Sequence, residues 1–431
     1  MVLGLTPAPK YSTDGTHRII APRETCRRAA ALMERVGVTR LSDVTGLDRI
    51  GIPVWSAIRP LDAAPGISVY NGKGATSIEA KAGAMMEAIE RYCAELVPPS
   101  LVRASYQQMQ ERGSVLDPRW LHLDPQSGYS ETTEIEWVLG ADLQSGQDVW
   151  VPLCAVMMPY PRERGPRLLM HSTNGLASGN TLEEAICHAL AELIERDGMT
   201  LAAVRGSLRP IVQLAAAAVG NQADPLGWAA EQARPHSDLF PLIDLGSLPE
   251  PLSMLAGRFR QAGVDLVMRD ITSDLGIATV SAVALEPQLT EKPLYHLGFG
   301  THPDARVAAR RAITEAAQSR LTFIQGVRDD LADAHQLAQL ERSLWLDQRA
   351  TPQPFTMVPS YAHQDVLDDI QLMLARLQTS GLTQAIVVDL TRPEIDIPVV
   401  KMIVPGLEHW SATHFNPARC HLGARARSYL Q

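Results

Sequence analysis

Two stretches constrain the fold more than any others: GAMMEAIERY at 83–92 and HALAELIERD at 188–197. Both contain Glu-x-x-Glu-Arg, at 87–91 and at 192–196, inside runs of helical periodicity. On a helix, positions three and four apart share a face. The first stretch predicts a long helix over 78–96, with Met85, Ile89 and Cys93 on an apolar face and Glu87, Glu90 and Arg91 together. The second predicts a helix over 181–199 that aligns Glu184, His188, Glu192, Glu195 and Arg196, opposite Ile186, Leu190 and Leu193. Such a chain must bury two apolar stripes and find a use for two acidic faces.

The rest of the pattern supplies the layers. Residues 1–24 are polar and read as an arm on the surface, followed by a helix from Thr25 to Val36 that stops at Gly37. Strand signals lie in 47–60, then in IEWVLGADL (135–143) and DVWVPLCAVMM (148–158), which are spaced like a hairpin. QAGVDLVMRDIT (261–272) and GIATVSAVAL (276–285) read as buried strands, and 303–326 as a third long helix. Late strands follow at 385–391 and 398–408, while the acidic stretch 327–382 reads as a peripheral helical insertion. Helices and strands alternate irregularly. This predicts an α/β chain of the α+β kind, mixed sheets packed with long helices, and not a doubly wound parallel sheet. The expected division is an N-terminal arm and helix over 1–60, a main domain over 61–415 and a tail over 416–431.

Composition narrows the function classes. A net charge of −9 argues against a nucleic-acid partner, which needs a basic surface. No segment approaches the roughly 18 uninterrupted apolar residues of a membrane span, so no membrane association is expected. The N-terminal residues MVLGLTPAPK lack the basic-then-apolar pattern of a secretion signal. Five cysteines are scattered singly at 26, 93, 154, 187 and 420, which fits reduced thiols in the cytoplasm.

The acidic faces make chemical sense if they meet around cations. Mg²⁺ takes oxygen ligands, usually one or two carboxylates together with nucleotide phosphates, and arginines alongside can clamp phosphate oxygens. On the third helix Arg311, Glu315 and Gln318 share a side, making Arg311 a candidate phosphate clamp and Glu315 its orienting acid. GKG (72–74) and NGLASGN (174–180) are Gly-rich and lead into the two helices, whose free amides favour anions. Neither has P-loop spacing. The competing reading is structural. Glu-x-x-Glu-Arg is common on solvated helix faces, Glu184 completes a capping box with Thr181, and a lone histidine such as His188 is ordinarily a packed surface residue.

Taken together, LDRIGIPV, GKG, AKAGAMMEAIERY, NGLASGNTLEEAICHALAELIERD, RAITEAAQSR and the late PGLE resemble the YcaO family, over residues 18–405. Members use ATP to activate a backbone amide oxygen of a ribosomally made peptide. The resemblance implies the YcaO fold and an ATP site to which the 1–60 segment contributes. It implies Mg²⁺ held by Glu87, Glu90, Glu184, Glu192 and Glu195, with Glu87, Glu195 and Arg311 acting on the transferring group. Arg196 and Arg311 match its nucleotide-contacting arginines, Glu315 its nearby acid, and Arg18 with Thr25 an N-terminal basic and hydroxyl pair. Two positions depart: Gly83 stands where many members have Ser, and Arg18 where some have Lys. No proton-transfer residue is readable from the motifs; His188 is the candidate on these faces.

Azoline-forming members often end in a Pro-x-Pro-x-Pro tail, whereas this chain ends GARARSYLQ, and no leader-recognition module is expected. TGLDRIGIPVWSAIRP and VVKMIVPGLEHW look most like the members paired with a TfuA partner, which form thioamides. The implied partners are a precursor peptide, a TfuA-like or other leader-recognition protein, and a second copy in a homodimer. Three alternatives stay open at this point: a cyclodehydratase acting on Cys, Ser or Thr, a two-metal hydrolase, and a non-catalytic ATP- or peptide-binding subunit.

Overall fold

The computed structural model of the chain describes residues 4–60, 68–98, 100–124, 127–166, 168–169, 172–208, 240–286, 294–326, 351–409 and 423–428. The first third contains α1 (Pro22–Ala30), β1 (Arg40–Asp43), β2 (Val54–Ile58), β3 (Val69–Lys73) and α2 (Ser77–Ala94). Then come β4 (Leu101–Ala104), α3 (Tyr106–Gln110), β5 (Ile135–Asp142), β6 (Asp148–Pro152), β7 (Leu176–Ser178) and α4 (Leu182–Ala203). The remainder is α5 (Leu252–Gln261), β8 (Asp265–Asp270), β9 (Thr279–Glu286), β10 (Leu294–Thr301) and α6 (Ala305–Gln325). It closes with α7 (Val366–Thr379), β11 (Ile386–Asp389), β12 (Val399–Ile403) and the short α8 (Ala424–Ser428).

Every pairing between these strands is antiparallel, so the architecture is α+β with antiparallel rather than mixed sheets. β1-β2-β3 and β10-β9-β8 are three-stranded, and the largest sheet runs β4-β5-β11-β12-β7, with β6 on β5. The strand period of two sorts the largest sheet's side chains onto its two faces. Ile386, Val388, Val399 and Ile403 pack with Met85, Ile89 and Cys93 of α2. Val387, Val400 and Met402 pack with Ile186 and Leu190 of α4 and with Ile370 and Met373 of α7. Met85, Ile89, Ile186 and Leu190 are all buried, each side chain stabilising by about 1.5–3 kcal/mol. The two acidic helices therefore lie on opposite faces of one sheet. Both touch β7, its short edge strand. Beyond that edge no strand separates them, and their polar faces meet.

α6 covers the β8–β10 sheet and reaches β3. The approach is close enough to demand glycine. A Cβ on Gly298 of β10 would stand 2.1 Å from the Ala316 nitrogen, and one on Gly72 of β3 2.1 Å from the Ala80 carbonyl and the Ala84 nitrogen of α2. GKG is thus no phosphate loop. Its Gly72 and Lys73 are strand residues pressed against a helix.

Three expectations are corrected. The division at 60/61 cuts through one sheet, because β2 on one side pairs with β3 on the other. α7, inside the supposed peripheral insertion, has Val366, Ile370, Met373 and Leu377 buried in the core; 327–350 lie outside the described residues. The N-terminal arm does not lie loosely on the surface: most of it is exposed or half-buried, but Ala8 and His17 are buried. The described part of the tail, 423–428, is anchored: Ala426 is buried and Arg425 pairs with Asp197 at 2.9 Å. Helix boundaries shift as well. α1 starts at Pro22, where proline suits the first turn, and ends before the expected Val36. Among the described residues no helix is long and apolar enough to cross a membrane, and Cys26, Cys93, Cys154 and Cys187 are free thiols.

Candidate active site

All the residues singled out from the sequence line one cavity of about 640 Å³. α2 contributes Glu87 and Glu90; α4 contributes Glu184, His188, Glu192, Glu195 and Arg196; α6 contributes Arg311 and Glu315. Arg18 comes from the N-terminal strap and Thr25 from α1.

The capping alternative for Glu184 is only half realised. The Thr181 hydroxyl accepts from the Glu184 N–H, as a cap should, but the carboxylate turns elsewhere. It accepts from Arg18 Nη1 at 2.9 Å, from the Ile19 N–H at 3.2 Å and from Asn180 Nδ2 at 2.9 Å. Asn180 also accepts from the Thr25 hydroxyl at 3.1 Å, so strap, α1 and α4 share one network. The full reciprocal capping box belongs to α2 instead, between Thr76 and Glu79.

The NGLASGN segment holds carboxylates with its backbone. Ser178 N–H donates to Glu90 Oε2 at 2.9 Å, and Gly175 N–H donates to Glu192 Oε2 at 3.2 Å. Its amides are thereby committed to the protein's own anions. Lys401 of β12, a buried residue that sequence reasoning missed, ties down the same turn by donating to the carbonyls of Ser172 and Asn174.

The acids are crowded and under-compensated. Burial, then the charges of Glu87 and Glu192, push the Glu90 carboxyl well above the ordinary carboxylate range. Burial and then Glu315 also raise the Glu195 carboxyl. Glu195 Oε2 is buried without a hydrogen-bond partner, and the carboxylate's other oxygen, Oε1, lies 3.8 Å from Arg196 Nη2. Glu315 goes the other way. Burial works against its charge, but Lys73, Arg196 and Arg311 outweigh it and hold the carboxyl below the usual range. Lys73 forms a direct ion pair with Glu315. Its role was missed because GKG reads as a loop. As a strand, β3 puts Asn71 and Lys73, two apart, on the same face, and both line the cavity.

His188 does not have the geometry of a general base. Its Nε2 lies 3.0 Å from Arg311 Nη2. A guanidinium only donates, so Nε2 accepts and the ring is neutral. Burial, then Arg311 and Arg18, keep it that way by lowering its pKa well below 6.5. His188 aims Arg311.

The donor set fits a hard divalent cation. Carboxylates from two helices line the cavity, the atoms on offer are oxygens, and a buried, partnerless Glu195 oxygen with two raised carboxyls is a donor set that a divalent cation would satisfy. Arg196 and Arg311 stand beside them, where phosphate oxygens would need neutralising.

Comparison with known proteins agrees with this geometry. An uncharacterised protein of Methanothermobacter thermautotrophicus is 37% identical over 419 residues, 95% of this chain and 99% of that one. An uncharacterised protein in the tfuA 3′ region of Rhizobium leguminosarum bv. trifolii is 32% identical over 415 residues, covering 92% and 90%. Among solved structures, YcaO from Methanopyrus kandleri bound with AMPPCP and Mg²⁺ superposes with a TM-score of 0.69 at 26% identity, covering 96% of this chain and 97% of that one. A heterocyclase in complex with substrate and cofactor gives 0.73 at 25% identity; it matches 95% of this chain, which spans only 55% of that protein. The family model described as YcaO cyclodehydratase, ATP- and Mg²⁺-binding, matches residues 71–408. With strap, two acidic helices and arginine-bearing α6 all facing one cavity, the chain belongs to the YcaO family of ATP- and Mg²⁺-binding proteins.

Proposed function

We propose that this chain activates a backbone amide of a ribosomally made peptide by O-phosphorylation from ATP, and that with a TfuA-type partner it forms a thioamide. A sulfur nucleophile adds to the amide carbon, and the resulting oxyanion attacks the γ-phosphorus of ATP, releasing ADP. Expulsion of phosphate then leaves C=S where C=O stood. Glu87, Glu90, Glu184, Glu192 and Glu195 are the proposed holders of Mg²⁺, which supplies neutralisation of the triphosphate charge. Arg196 and Arg311 donate to phosphoryl oxygens as negative charge moves onto the leaving group. Neutral His188 and anionic Glu315 fix the direction of the Arg311 and Lys73 donors. Arg18, pinned by Glu184, and Thr25, pinned by Asn180, close the nucleotide end.

The observation that carries this reading is the partnerless Glu195 Oε2 in a wall of acids, with Arg196 and Arg311 beside it. The thioamide branch draws on the tfuA neighbourhood of the Rhizobium relative. The similarity to heterocyclases supports the second reading, azoline formation by a Cys, Ser or Thr side chain of the peptide. One reconstitution separates them. Purified chain, precursor peptide, ATP and Mg²⁺, with a TfuA-type partner and sulfide, should add about 16 Da per site by exchange of oxygen for sulfur. A loss of about 18 Da, one water removed by the same phosphoryl transfer, would assign the azoline reaction. Phosphate release with no change in peptide mass in any combination would sink both.

A further inference from the structure

The N-terminal strap, residues 4–21, carries no helix or strand, yet it supplies Thr16, His17, Arg18 and Ile20 to the cavity wall. Its start is held by hydrogen bonds, including those from the Val366 and Lys10 N–H groups to the Ala8 and Gln364 carbonyls. Thr6 N–H donates to Glu183 Oε1 at 2.9 Å, and Ala8 N–H to Asp365 Oδ1 at 2.8 Å. Its middle is different. The Lys10 side chain is fully buried, with Nζ 2.6 Å from Asp369 Oδ2 of α7. The same ammonium lies 3.1 Å from His17 Nδ1 and donates to the His363 carbonyl at 2.9 Å. His363 Nδ1 reaches Asp369 Oδ1 at 2.9 Å, and His302 Nε2 stands 3.5 Å from Asp369 Oδ2.

His17, His302 and Asp369 offer ligand atoms within 4.8 Å of one another, the spacing of a metal centre. Two facts argue that no metal belongs there. First, an ammonium already sits against two of the three ligands. Second, hydrogen bonds fix both ring tautomers. His17 Nε2 faces the Thr13 carbonyl at 2.8 Å and so carries the proton, leaving Nδ1 to accept from Lys10. His302 Nδ1 accepts from the Asp304 N–H at 2.9 Å, which places its proton on Nε2, the very atom a metal would need free. Among Lys10 and the three candidate ligands the result is one cation, one anion and two neutral rings; Asp304, 3.7 Å from His17 Nε2, has its own cation in Arg306.

We propose that Lys10 is the built-in cation of this cluster and a positioning residue for the ATP site, latching the strap against α7 so that Arg18 is delivered to Glu184. The link is short: beyond Lys10 the chain doubles back, Tyr11 N–H donating to the Arg18 carbonyl at 2.8 Å, and Arg18 then pairs with Glu184. This rests on the cavity being a nucleotide site.

The test uses the full chain with Lys10→Met. Chymotrypsin should cut at Tyr11 about tenfold faster than in the wild type, because the strap opens locally while the core holds. The KM for ATP should rise about tenfold with kcat much less changed, since uniform binding is lost rather than chemistry. Lys10→Arg should recover part of the affinity. Should Lys10→Met fail to fold through an unpaired buried Asp369, Lys10→Met/Asp369→Asn removes both charges and reads the same quantities. Unchanged cleavage, or faster cleavage with unchanged ATP affinity, would overturn the proposal. So would one equivalent of zinc retained by the wild type after gel filtration and lost in Asp369→Asn. If the wild type bound no nucleotide, the reading of the cavity would fall, while cleavage and zinc content would still decide the latch.

Discussion

α6 serves two buried charge clusters, and they are built on opposite terms. Toward its C-terminal end, Arg320 donates to both oxygens of Asp48 at 3.2 Å and to Glu286 Oε2 at 2.6 Å, and Arg49 adds a second cation to Glu286. Burial works against the Glu286 charge, yet hydrogen bonds from Arg320 and Arg49 draw its carboxyl below the usual range. Every charge there has a partner. One segment earlier, Arg311 and Glu315 face the acidic helices, where Glu195 keeps a partnerless oxygen and both Glu90 and Glu195 are pushed upward. A satisfied cluster holds the fold together. An unsatisfied one costs stability in the free protein, and such clusters are where proteins place binding rather than folding.

The largest effect expected from this contrast is on turnover. Glu195→Gln should lower ATP turnover by about a hundredfold or more, as loss of a charge-stabilising group does, while circular dichroism stays unchanged and the melting temperature holds or rises, because a buried charge without a partner has been removed. Near-normal turnover would leave Glu195 a buried carboxylate with no part in the chemistry. Metal removal is the companion experiment. Calorimetry in EDTA should show no nucleotide binding heat, because close carboxylates repel a triphosphate unless a cation intervenes; equal affinity with and without Mg²⁺ would break the comparison from the other side.

Arg320→Leu should do the reverse of Glu195→Gln. Leaving Asp48 and Glu286 buried without their shared cation should cost about 3–5 kcal/mol in denaturant unfolding. A stability loss no larger than that of an ordinary surface substitution would show that the cluster is not structural.

A smaller effect concerns acid. Burial, with Arg311 and Arg18 beside His188 and with His17 and Lys10 beside His302, lowers both histidines well below 6.5. The unfolded chain binds protons that the folded chain refuses, so their contribution is present above 6.5 and lost as pH falls below it. Each can cost up to about 1.4 kcal/mol per pH unit over that window. Glu90 and Glu195 act in the opposite sense, since raised carboxyls favour the folded state on acidification. The difference is therefore best read in a variant: His302→Gln should melt with a shallower acid dependence than the wild type, and an identical profile would remove His302 from the account. Smallest of all is Glu24→Gln. Its partner Arg27 lies one turn away on an exposed face of α1, and the melting temperature should not move.

Much of this was legible in order of residues. α2, α4 and α6 follow from apolar stripes of period 3.6, and the β5–β6 hairpin from two strand signals around a short turn. Every candidate side chain faces the same cavity because the i, i+3, i+4 rule fixes which residues of one helix travel together. What failed did so for local reasons. GKG looked like a loop because glycine is a loop signal, while here it permits close strand–helix contact. α7 looked peripheral because a half-polar helix gives no hint of which layer its stripe will meet.

Sequence alone determined the parts: two helices with acidic faces, a third with a clamp arginine, and a chain that must cover their apolar sides. Only the tertiary structure decided that β7 is short and at the edge of its sheet, so that helices on opposite faces come together past it. Only there does it become visible which carboxylates lack a partner, that Lys73 answers Glu315, and that Lys10 fills what would otherwise be a metal site. Periodicity is set by bonds between near neighbours in the chain. Charge balance in a cavity is set by residues brought together from segments remote in sequence, and no local rule carries that information.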